Sequence, residues 1–311
     1  MISPLRIGTR ASPLALWQAN HIADCLRPLA GSRPVELLLI ETTGDVVRDR
    51  ALSQIGGDGL FTKEIQLALL AGSVDVAVHS LKDLPTTHVE GLTLAAVPPR
   101  GPTGDVFVSR RYPSFDALPP DALVATSSVR RRAQVLHRRP DLKLVNIRGN
   151  VGTRLQKLAD DDLDATILAE AGLLRLGFTD RMTEILDPSW MLPAVGQGAL
   201  GLECRAADAE TLALLVRLSD PATYHAVLAE RALLRGLGGG CQVPIGAHAV
   251  VAGETLKIRG VVLPPDGTQR VADDASGSVS EAEVLGKQLA GLLLAKGARE
   301  LLEAGGIVVP R

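Results

Sequence analysis

The chain has 311 residues, of which 46% are hydrophobic and 22% charged, and its formal net charge is −2. This length exceeds that of one typical single-core domain, so we expect two or three domains. The balance of residue types is that of an ordinary folded protein, which excludes long disordered segments. The small net charge excludes a global field favouring nucleic acid or an anionic membrane, so any positive surface must be local.

The N-terminus and the cysteines favour a reducing compartment. Residues 1–7 contain no basic segment followed by an apolar stretch, so we expect no secretory signal. No apolar run approaches the ~20 residues that a membrane-spanning helix needs. Cys25, Cys204 and Cys241 are far apart and odd in number, which matches neither a disulfide framework nor a zinc site. We therefore predict a cytoplasmic protein without a metal ion or a membrane partner.

The first two thirds of the chain alternate short apolar runs with amphipathic segments. Strands are predicted at residues 5–8, 35–40, 74–79, 92–97, 123–125, 142–147 and 165–169. Helices are predicted between several of them, for example at residues 14–29 and 62–70. This alternation is typical of parallel sheets covered by helices on both faces, that is, of doubly wound α/β domains.

Two stretches rich in proline and glycine predict crossings between domains. Residues 97–104 form the first, and residues 191–198 form the second, which an apolar run follows at residues 199–203. We therefore predict that the chain leaves a first α/β domain, builds a second one and then returns. The predicted limits are residues 1–98 with 199–218 for the first domain and 104–192 for the second.

The remaining residues, 221–311, predict a small C-terminal α+β domain. A helix runs to about Arg235, strand-like runs lie at residues 245–252, 256–263 and 269–275, and residues 280–303 are helical with a glycine interruption. Between the first helix and the strands, Gly238-Gly239-Gly240 directly precede Cys241 and predict that this cysteine lies on a flexible loop. The local pattern alone fits a reactive thiol and a buried cysteine about equally well.

Basic residues follow the predicted strands, at the edge where open α/β sheets bind ligands. Five such segments carry them: residues 9–13, 80–85, 126–132, 148–154 and 170–175. Arg130 and Arg131 oppose the dipole of a helix that Ser127 or Ser128 would cap, at a cost of up to ~1 kcal/mol each. An anion that meets the arginines, hydroxyls and helix N–H groups together would explain this choice.

The anion is a phosphate or a carboxylate, and the sequence disfavours nucleotides. It contains no phosphate-binding P-loop and no glycine-rich dinucleotide motif after a strand. A nucleic-acid patch at residues 130–139 is also disfavoured, because this segment has an apolar face and few aromatics are available for stacking. Asp83 is an acid among these basic loops. In a structural role it caps a helix or forms an ion pair with Lys82. In a catalytic role its carboxylate lies where positive charge develops during a reaction.

Taken together, six motifs resemble one family, the porphobilinogen deaminases, also called hydroxymethylbilane synthases. The resemblance is in order along nearly the whole chain and rests on residues 8–15, 79–85, 126–131, 147–154, 193–199 and 239–246. It implies three domains, the first two similar to the lobes of periplasmic anion-binding proteins. It also implies a monomer that joins four porphobilinogens, with loss of ammonia, into hydroxymethylbilane for tetrapyrrole and haem biosynthesis.

The resemblance further implies a dipyrromethane cofactor, held to Cys241 by a thioether, and a set of site residues. Asp83 is the implied catalytic carboxylate. The implied cofactor-binding residues are Lys82, Thr126, Ser128, Arg130, Arg131 and Arg148. The implied substrate-binding residues are Arg10, Ser12, Arg154, Arg175 and Phe61.

The chain departs from the family pattern at Gln54, Asp58 and Leu174, where members often carry basic residues. The first two lie in a glycine-rich segment, residues 44–59, that we predict to be a lid. A family member that binds carboxylates but turns over poorly therefore remains an alternative. A non-catalytic binding protein leaves Asp83 and Cys241 unexplained, and a cysteine hydrolase lacks a recognisable histidine partner.

Overall fold

The structure is a computed structural model that describes residues 3–46, 59–240, 243–304 and 306–309. The chain divides into two compact units. The first comprises Met1–Arg100 and Ala199–Tyr224, and the second comprises Gly101–Gly198 and His225–Arg311. Among the described residues, no helix combines the length and the apolar character needed to cross a membrane.

The first unit contains a five-stranded sheet in the order β2-β1-β3-β10-β4. Its strands are β1 (Leu5–Thr9), β2 (Val35–Leu39), β3 (Val76–Ser80), β4 (Leu92–Ala96) and β10 (Leu200–Arg205). Its helices are α1 (Pro13–Leu26), α2 (Thr43–Val46), α3 (Lys63–Leu70) and α7 (Ala209–Val216). Strands β1, β2 and β3 are parallel, whereas β10 runs antiparallel between β3 and β4. Apolar side chains, among them Leu5, Ile7 and Ile22, pack α1 on this sheet.

The second unit contains a sheet of matching design, in the order β7-β6-β8-β5-β9. Its strands are β5 (Asp105–Val108), β6 (Leu123–Ala125), β7 (Lys143–Val145), β8 (Ala165–Ala169) and β9 (Glu184–Ile185). Its helices are α4 (Val129–Arg138), α5 (Val151–Asp160) and α6 (Glu170–Arg175). Strands β6, β7 and β8 are parallel, and β5 runs antiparallel between β8 and β9. The sequence pattern predicted β6, β7 and β8 but missed β5 and β9.

The second unit also contains an antiparallel sheet of three strands, β11 (Ile245–Ala252), β12 (Thr255–Val262) and β13 (Val271–Ser278). A turn closed by Gly267 N–H, which donates to the Pro264 carbonyl at 2.9 Å, joins the last two strands. The helices here are α8 (Pro221–Gly236), which belongs to this unit from His225 onward, α9 (Ala282–Leu293) and α10 (Arg299–Ala304). Gly297, at φ 96°, is the predicted interruption between α9 and α10. The predicted fold class is therefore confirmed, whereas the limits of the three domains stay a prediction.

Candidate active site

In the first unit, four site residues predicted from the sequence lie at one edge of the sheet. Because β1 and β3 are parallel, their carboxyl ends meet at the same edge. Arg10 and Ser12 follow β1, and Lys82 and Asp83 follow β3. The Ser12 hydroxyl accepts a hydrogen bond from Ala15 N–H and caps α1, so it orders the chain beside Arg10.

Arg10 and Phe61, both predicted substrate-binding residues, are in contact. The guanidinium carbon lies 4.2 Å from the centre of the Phe61 ring, a distance at which a cation is attracted to the ring face. Arg10 Nε also donates to Asp45 Oδ2 at 3.0 Å. Burial alone would raise the pKa of Asp45, but its hydrogen bonds from Arg10 and Thr42 lower it. Asp45 is therefore a carboxylate held on this guanidinium, and the sequence pattern did not identify it.

Asp83 sits in a short 3₁₀ turn, Leu81–Asp83, that leaves β3 directly. Leu81 is 1% exposed and its N–H donates to the carbonyl of Ala199 at 3.0 Å. Leu84 N–H closes the turn on the carbonyl of Leu81 at 3.2 Å. Backbone hydrogen bonds and a buried leucine thus fix the direction in which the partly exposed Lys82 and Asp83 leave the sheet.

In the second unit, the carboxyl ends of β6, β7 and β8 form an equivalent edge. Ser128 caps α4, accepting from Arg131 N–H at 3.4 Å, and Ser128 N–H donates to Thr126 Oγ1 at 3.2 Å. The neighbouring Ser127 hydroxyl donates to the Ile147 carbonyl and accepts from the Ile147 N–H. The loops after β6 and β7 are therefore tied to each other.

Arg148 and Arg154 flank one tight turn at this edge. Arg154 Nε donates to the carbonyl of Gly149 at 2.9 Å, the residue that follows Arg148. Gly149 has φ 117°, which other residues rarely adopt, and Asn150 then caps α5 by accepting from Thr153 N–H at 2.8 Å. Arg175, at the end of α6, donates to the Gly198 carbonyl at 2.7 Å, and burial lowers its pKa.

Arg130 and Arg131, predicted to meet a bound anion together with the hydroxyls and N–H groups at the start of α4, are buried in the structure. They are only 4% and 6% exposed, and both contact Asp105, the first residue of β5. Arg130 Nη1 lies 2.7 Å from Asp105 Oδ2, and Arg131 Nη2 lies 2.7 Å from Oδ1. Gln197, from the predicted second crossing, donates to the same Oδ1 at 3.0 Å. The carboxylate of Asp105 is therefore an anion within the protein that binds both arginines.

Sequence reasoning missed Asp105 although a signal was present. An aspartate that opens the apolar run Val106-Phe107-Val108 is unusual, because an unpaired buried carboxylate is very costly. Such a residue implies cationic partners, and Arg130 with Arg131 were the available pair. Burial would raise the pKa of Asp105, but the two guanidinium groups outweigh it and lower the pKa far below the usual range. Asp105 therefore stays ionised throughout the physiological range.

The remaining sequence predictions concern the cysteines and the lid. Cys241, Gln54 and Asp58 lie outside the described residues. Cys204 is fully buried in β10, and burial raises the pKa of its thiol to about 11, which makes it unreactive. In α8, the buried Glu230 accepts from Gly196 N–H at 2.7 Å and from Ala249 N–H at 2.9 Å. This carboxylate ties α8 to the second crossing and to β11.

Comparison with known proteins assigns the family. Residues 5–213 match the family described as "Porphobilinogen deaminase, dipyromethane cofactor binding domain", and residues 224–295 match its C-terminal domain. The porphobilinogen deaminase of Pelobacter propionicus is 51% identical over 299 residues, covering 96% of both chains. That of Trichlorobacter lovleyi is 52% identical, again over 96% of both. A periplasmic substrate-binding protein from Coxiella burnetii aligns at 16% identity and a TM-score of 0.44, covering 74% of this chain and 95% of its own.

The chain belongs to the porphobilinogen deaminase family, a family of transferases of porphyrin biosynthesis that use a dipyrromethane cofactor. The edge formed by the carboxyl ends of β6, β7 and β8 fits such a cofactor, because each of the two pyrrole rings of a dipyrromethane carries an acetate and a propionate. Within the described residues, Arg130 Nε is a buried donor without a hydrogen-bond acceptor. Arg130 and Arg131 carry one more charge than Asp105 neutralises, and a carboxylate of the cofactor would neutralise that remaining positive charge.

Proposed function

We propose that this chain joins four porphobilinogen molecules head to tail, releasing one ammonia per unit. One water then adds at the methylene carbon as the bond to the primer breaks, and the product leaves as hydroxymethylbilane. The observation that carries the proposal is the match of both family domains along residues 5–213 and 224–295. The arginine-lined sheet edges support it, because a growing chain of pyrroles gains two carboxylates with every unit. A covalent dipyrromethane supplies the pyrrole carbon to which the first substrate is joined.

We assign the residues of the second unit to the cofactor. Cys241 holds it through a thioether, which resists hydrolysis, so the primer stays when the product leaves. Thr126 and Ser128 provide hydroxyls and Arg148 provides a guanidinium, at the sheet edge where α4 and α5 begin. Arg130 and Arg131 supply the buried positive excess. Lys82 of the first unit completes this set of cofactor-binding residues.

We assign Asp83 to the chemistry of each addition. The bond between the aminomethyl carbon and nitrogen breaks, ammonia leaves with the electron pair, and a carbon–carbon bond forms with loss of a pyrrole proton. The Asp83 carboxylate stabilises the positive charge that develops on the pyrrole system as ammonia leaves. It lies on a turn fixed by backbone hydrogen bonds, so little reorganisation is needed.

We assign Arg10, Ser12, Phe61, Arg154 and Arg175 to the incoming substrate. Arg10 already binds a carboxylate, that of Asp45, and stacks on Phe61. A guanidinium in this arrangement is preorganised for an acetate or propionate that replaces Asp45. The expected protein is a cytoplasmic monomer without nucleic-acid or membrane partners, which the net charge of −2 and the low aromatic content support.

The test is the intact mass under denaturing conditions, for the wild type and for Cys241→Ser. We expect the wild type to exceed the sequence mass by two linked pyrrole units and the variant to lack this excess. A wild type without the excess, both as purified and after incubation with porphobilinogen, contradicts the proposal. A loaded wild type that consumes no porphobilinogen would instead identify the alternative, a carboxylate-binding family member with little turnover.

A further inference from the structure

The charge cluster of the second unit consists of Asp105, Arg130 and Arg131, with Gln197 as its neutral member. Asp105 is 1% exposed. Its Oδ1 accepts from Arg131 Nε at 3.0 Å, from Arg131 Nη2 at 2.7 Å and from Gln197 Nε2 at 3.0 Å. Its Oδ2 accepts from Arg130 Nη1 at 2.7 Å. One carboxylate therefore fixes the orientation of both guanidinium groups.

The cluster is short of one negative charge. Among the described residues, these two guanidinium groups, which do not deprotonate in proteins, contact one carboxylate, that of Asp105. Backbone carbonyls, which carry no net charge, accept some of the other guanidinium N–H groups. Arg131 Nη1 donates to the Ile167 carbonyl at 2.8 Å, and Arg130 Nη1 donates to the Leu192 carbonyl at 2.5 Å. Arg130 Nε is buried and has no acceptor in the described part of the chain. A buried excess charge is costly unless something compensates it.

A similar cluster in the first unit is balanced. There Asp75, 5% exposed, accepts from Arg6 at 3.0 Å and from Arg205 at 2.9 Å. Arg205 also donates to Asp208 at 2.8 Å, so two arginines meet two aspartates. Asp75 precedes β3, at the sheet edge away from Lys82 and Asp83. The balanced cluster thus lies at the amino-end edge of its sheet, and the unbalanced one lies where α4 begins, at the carboxyl-end edge where open α/β sheets bind ligands.

The location of Asp105 follows from strand direction. Strand β5 is antiparallel to β8, so its first residue pairs with Ala169, the last residue of β8. Asp105 therefore enters the sheet at the carboxyl-end edge, directly beneath the first turn of α4. An internal carboxylate at this edge fixes the orientation of both arginines. It also reduces their charge from two to one.

We propose that Asp105 is a positioning residue for the dipyrromethane site, which holds Arg130 and Arg131 for one carboxylate of the bound cofactor. This inference rests on the proposed function. Without Asp105, the guanidinium groups repel each other and lose their common orientation, so cofactor capture suffers even though the net positive charge increases. Attraction alone would predict the opposite, namely that loading improves when Asp105 is neutralised.

The experiment compares Asp105→Asn with Asp75→Asn, which removes the central carboxylate of the balanced cluster. For each purified protein, the fraction carrying the primer mass and the midpoint of thermal unfolding are measured. We expect both variants to unfold earlier than the wild type. Only Asp105→Asn should lose primer loading, by at least about tenfold, because misplaced binding groups lose most of their effect.

Each result distinguishes the inference from the proposed function. Wild-type loading in Asp105→Asn, or an equal loss in both variants at equal unfolding midpoints, overturns the positioning role. A wild type that never carries the primer contradicts the proposed function instead. If Asp105→Asn does not fold, Asp105→Glu keeps the charge and moves the carboxylate by one methylene. If a folded Asp105→Glu variant carries the primer at the wild-type level, the exact position of this carboxylate is not required, and the inference is refuted.

Discussion

Replacing Asp83 by asparagine is expected to separate catalysis from folding. The turn that carries Asp83 is fixed by backbone hydrogen bonds from Leu81 to Ala199 and from Leu84 to Leu81, which asparagine leaves in place. Asp83 itself is only half-buried. We therefore expect the free energy of unfolding to change by no more than about 0.5 kcal/mol, as for other substitutions away from the core.

The rate of porphobilinogen consumption should respond much more strongly to the same change. Asparagine has the shape of aspartate but carries no negative charge to stabilise a developing cation. A positioned acid or base contributes about 10²–10⁴-fold to a rate. At about 1.4 kcal/mol per factor of ten, this range corresponds to about 3–5 kcal/mol of activation free energy. The expected loss of activity is thus several times larger, in free energy, than any loss of stability.

The assay measures porphobilinogen consumption and ammonia release per primer-bearing molecule, with urea unfolding in parallel. Asp24→Asn is the matched control, because Asp24 is an exposed carboxylate on α1, away from the strand ends. Turnover within about threefold of the wild type at equal primer loading would remove Asp83 from the mechanism. A loss of turnover that Asp24→Asn shares would point to a general effect of charge.

Four further predictions follow from local geometry. Gly44→Ala places a Cβ 2.1 Å from a Phe61 ring atom, so the ring must move and KM should rise in steady-state kinetics. Gly198→Ala, at φ 84° and with its Cβ 2.5 Å from a backbone carbonyl oxygen, should lower unfolding stability by more than about 2 kcal/mol in urea. Thiol alkylation at pH 8 should spare native Cys204, as read by peptide mass, because burial raises its pKa. Arg6 and Arg205 lower the pKa of Asp75 against burial, so its contribution to stability should disappear as pH falls below about 4.

These four predictions have separate points of failure. A free energy of unfolding for Gly198→Ala within about 0.5 kcal/mol of the wild type would show that this turn accepts a Cβ without strain. An unchanged KM for Gly44→Ala would show that Phe61 does not act on substrate. Gly291→Ala, on α9, has open space around its Cβ and controls for the substitution itself. Rapid alkylation of Cys204 would contradict its burial. For Asp75, the urea midpoint of the wild type should fall between pH 5 and pH 2 more steeply than that of Asp75→Asn. Parallel curves would show that Asp75 contributes nothing in this range.

Local sequence patterns were sufficient for most of the elements. The runs at residues 123–125, 165–169 and 245–252 became strands with those limits, because alternating or continuous apolar side chains favour strands wherever they are buried. The caps at Ser12 and Ser128 were also readable, since a hydroxyl before a helix accepts its first free N–H groups. Strand β9 was missed, because two residues carry no periodicity.

The candidate site was predicted only in part, and Arg130 and Arg131 show why. Their position after Ser128 predicted a bound anion at the start of α4, and the structure shows the carboxylate of Asp105 against both guanidinium groups. The sequence does not show that one anion is internal, because Asp105 lies 25 residues from Arg130 in the chain and reaches it only through β5. Likewise Asp45 meets Arg10 from 35 residues away.

The sequence by itself determined most of the strands and helices, the capped helix starts and the residue types at the strand ends. These features depend on neighbours within a few positions, where chain geometry limits the possible contacts. Only the tertiary structure decided which charges neutralise one another. Antiparallel insertion of β5 brings Asp105 to the arginines, and the parallel course of β1 and β3 places Asp83 and Arg10 at one edge. Pairing between distant residues is set by sheet order and strand direction, which no local pattern encodes.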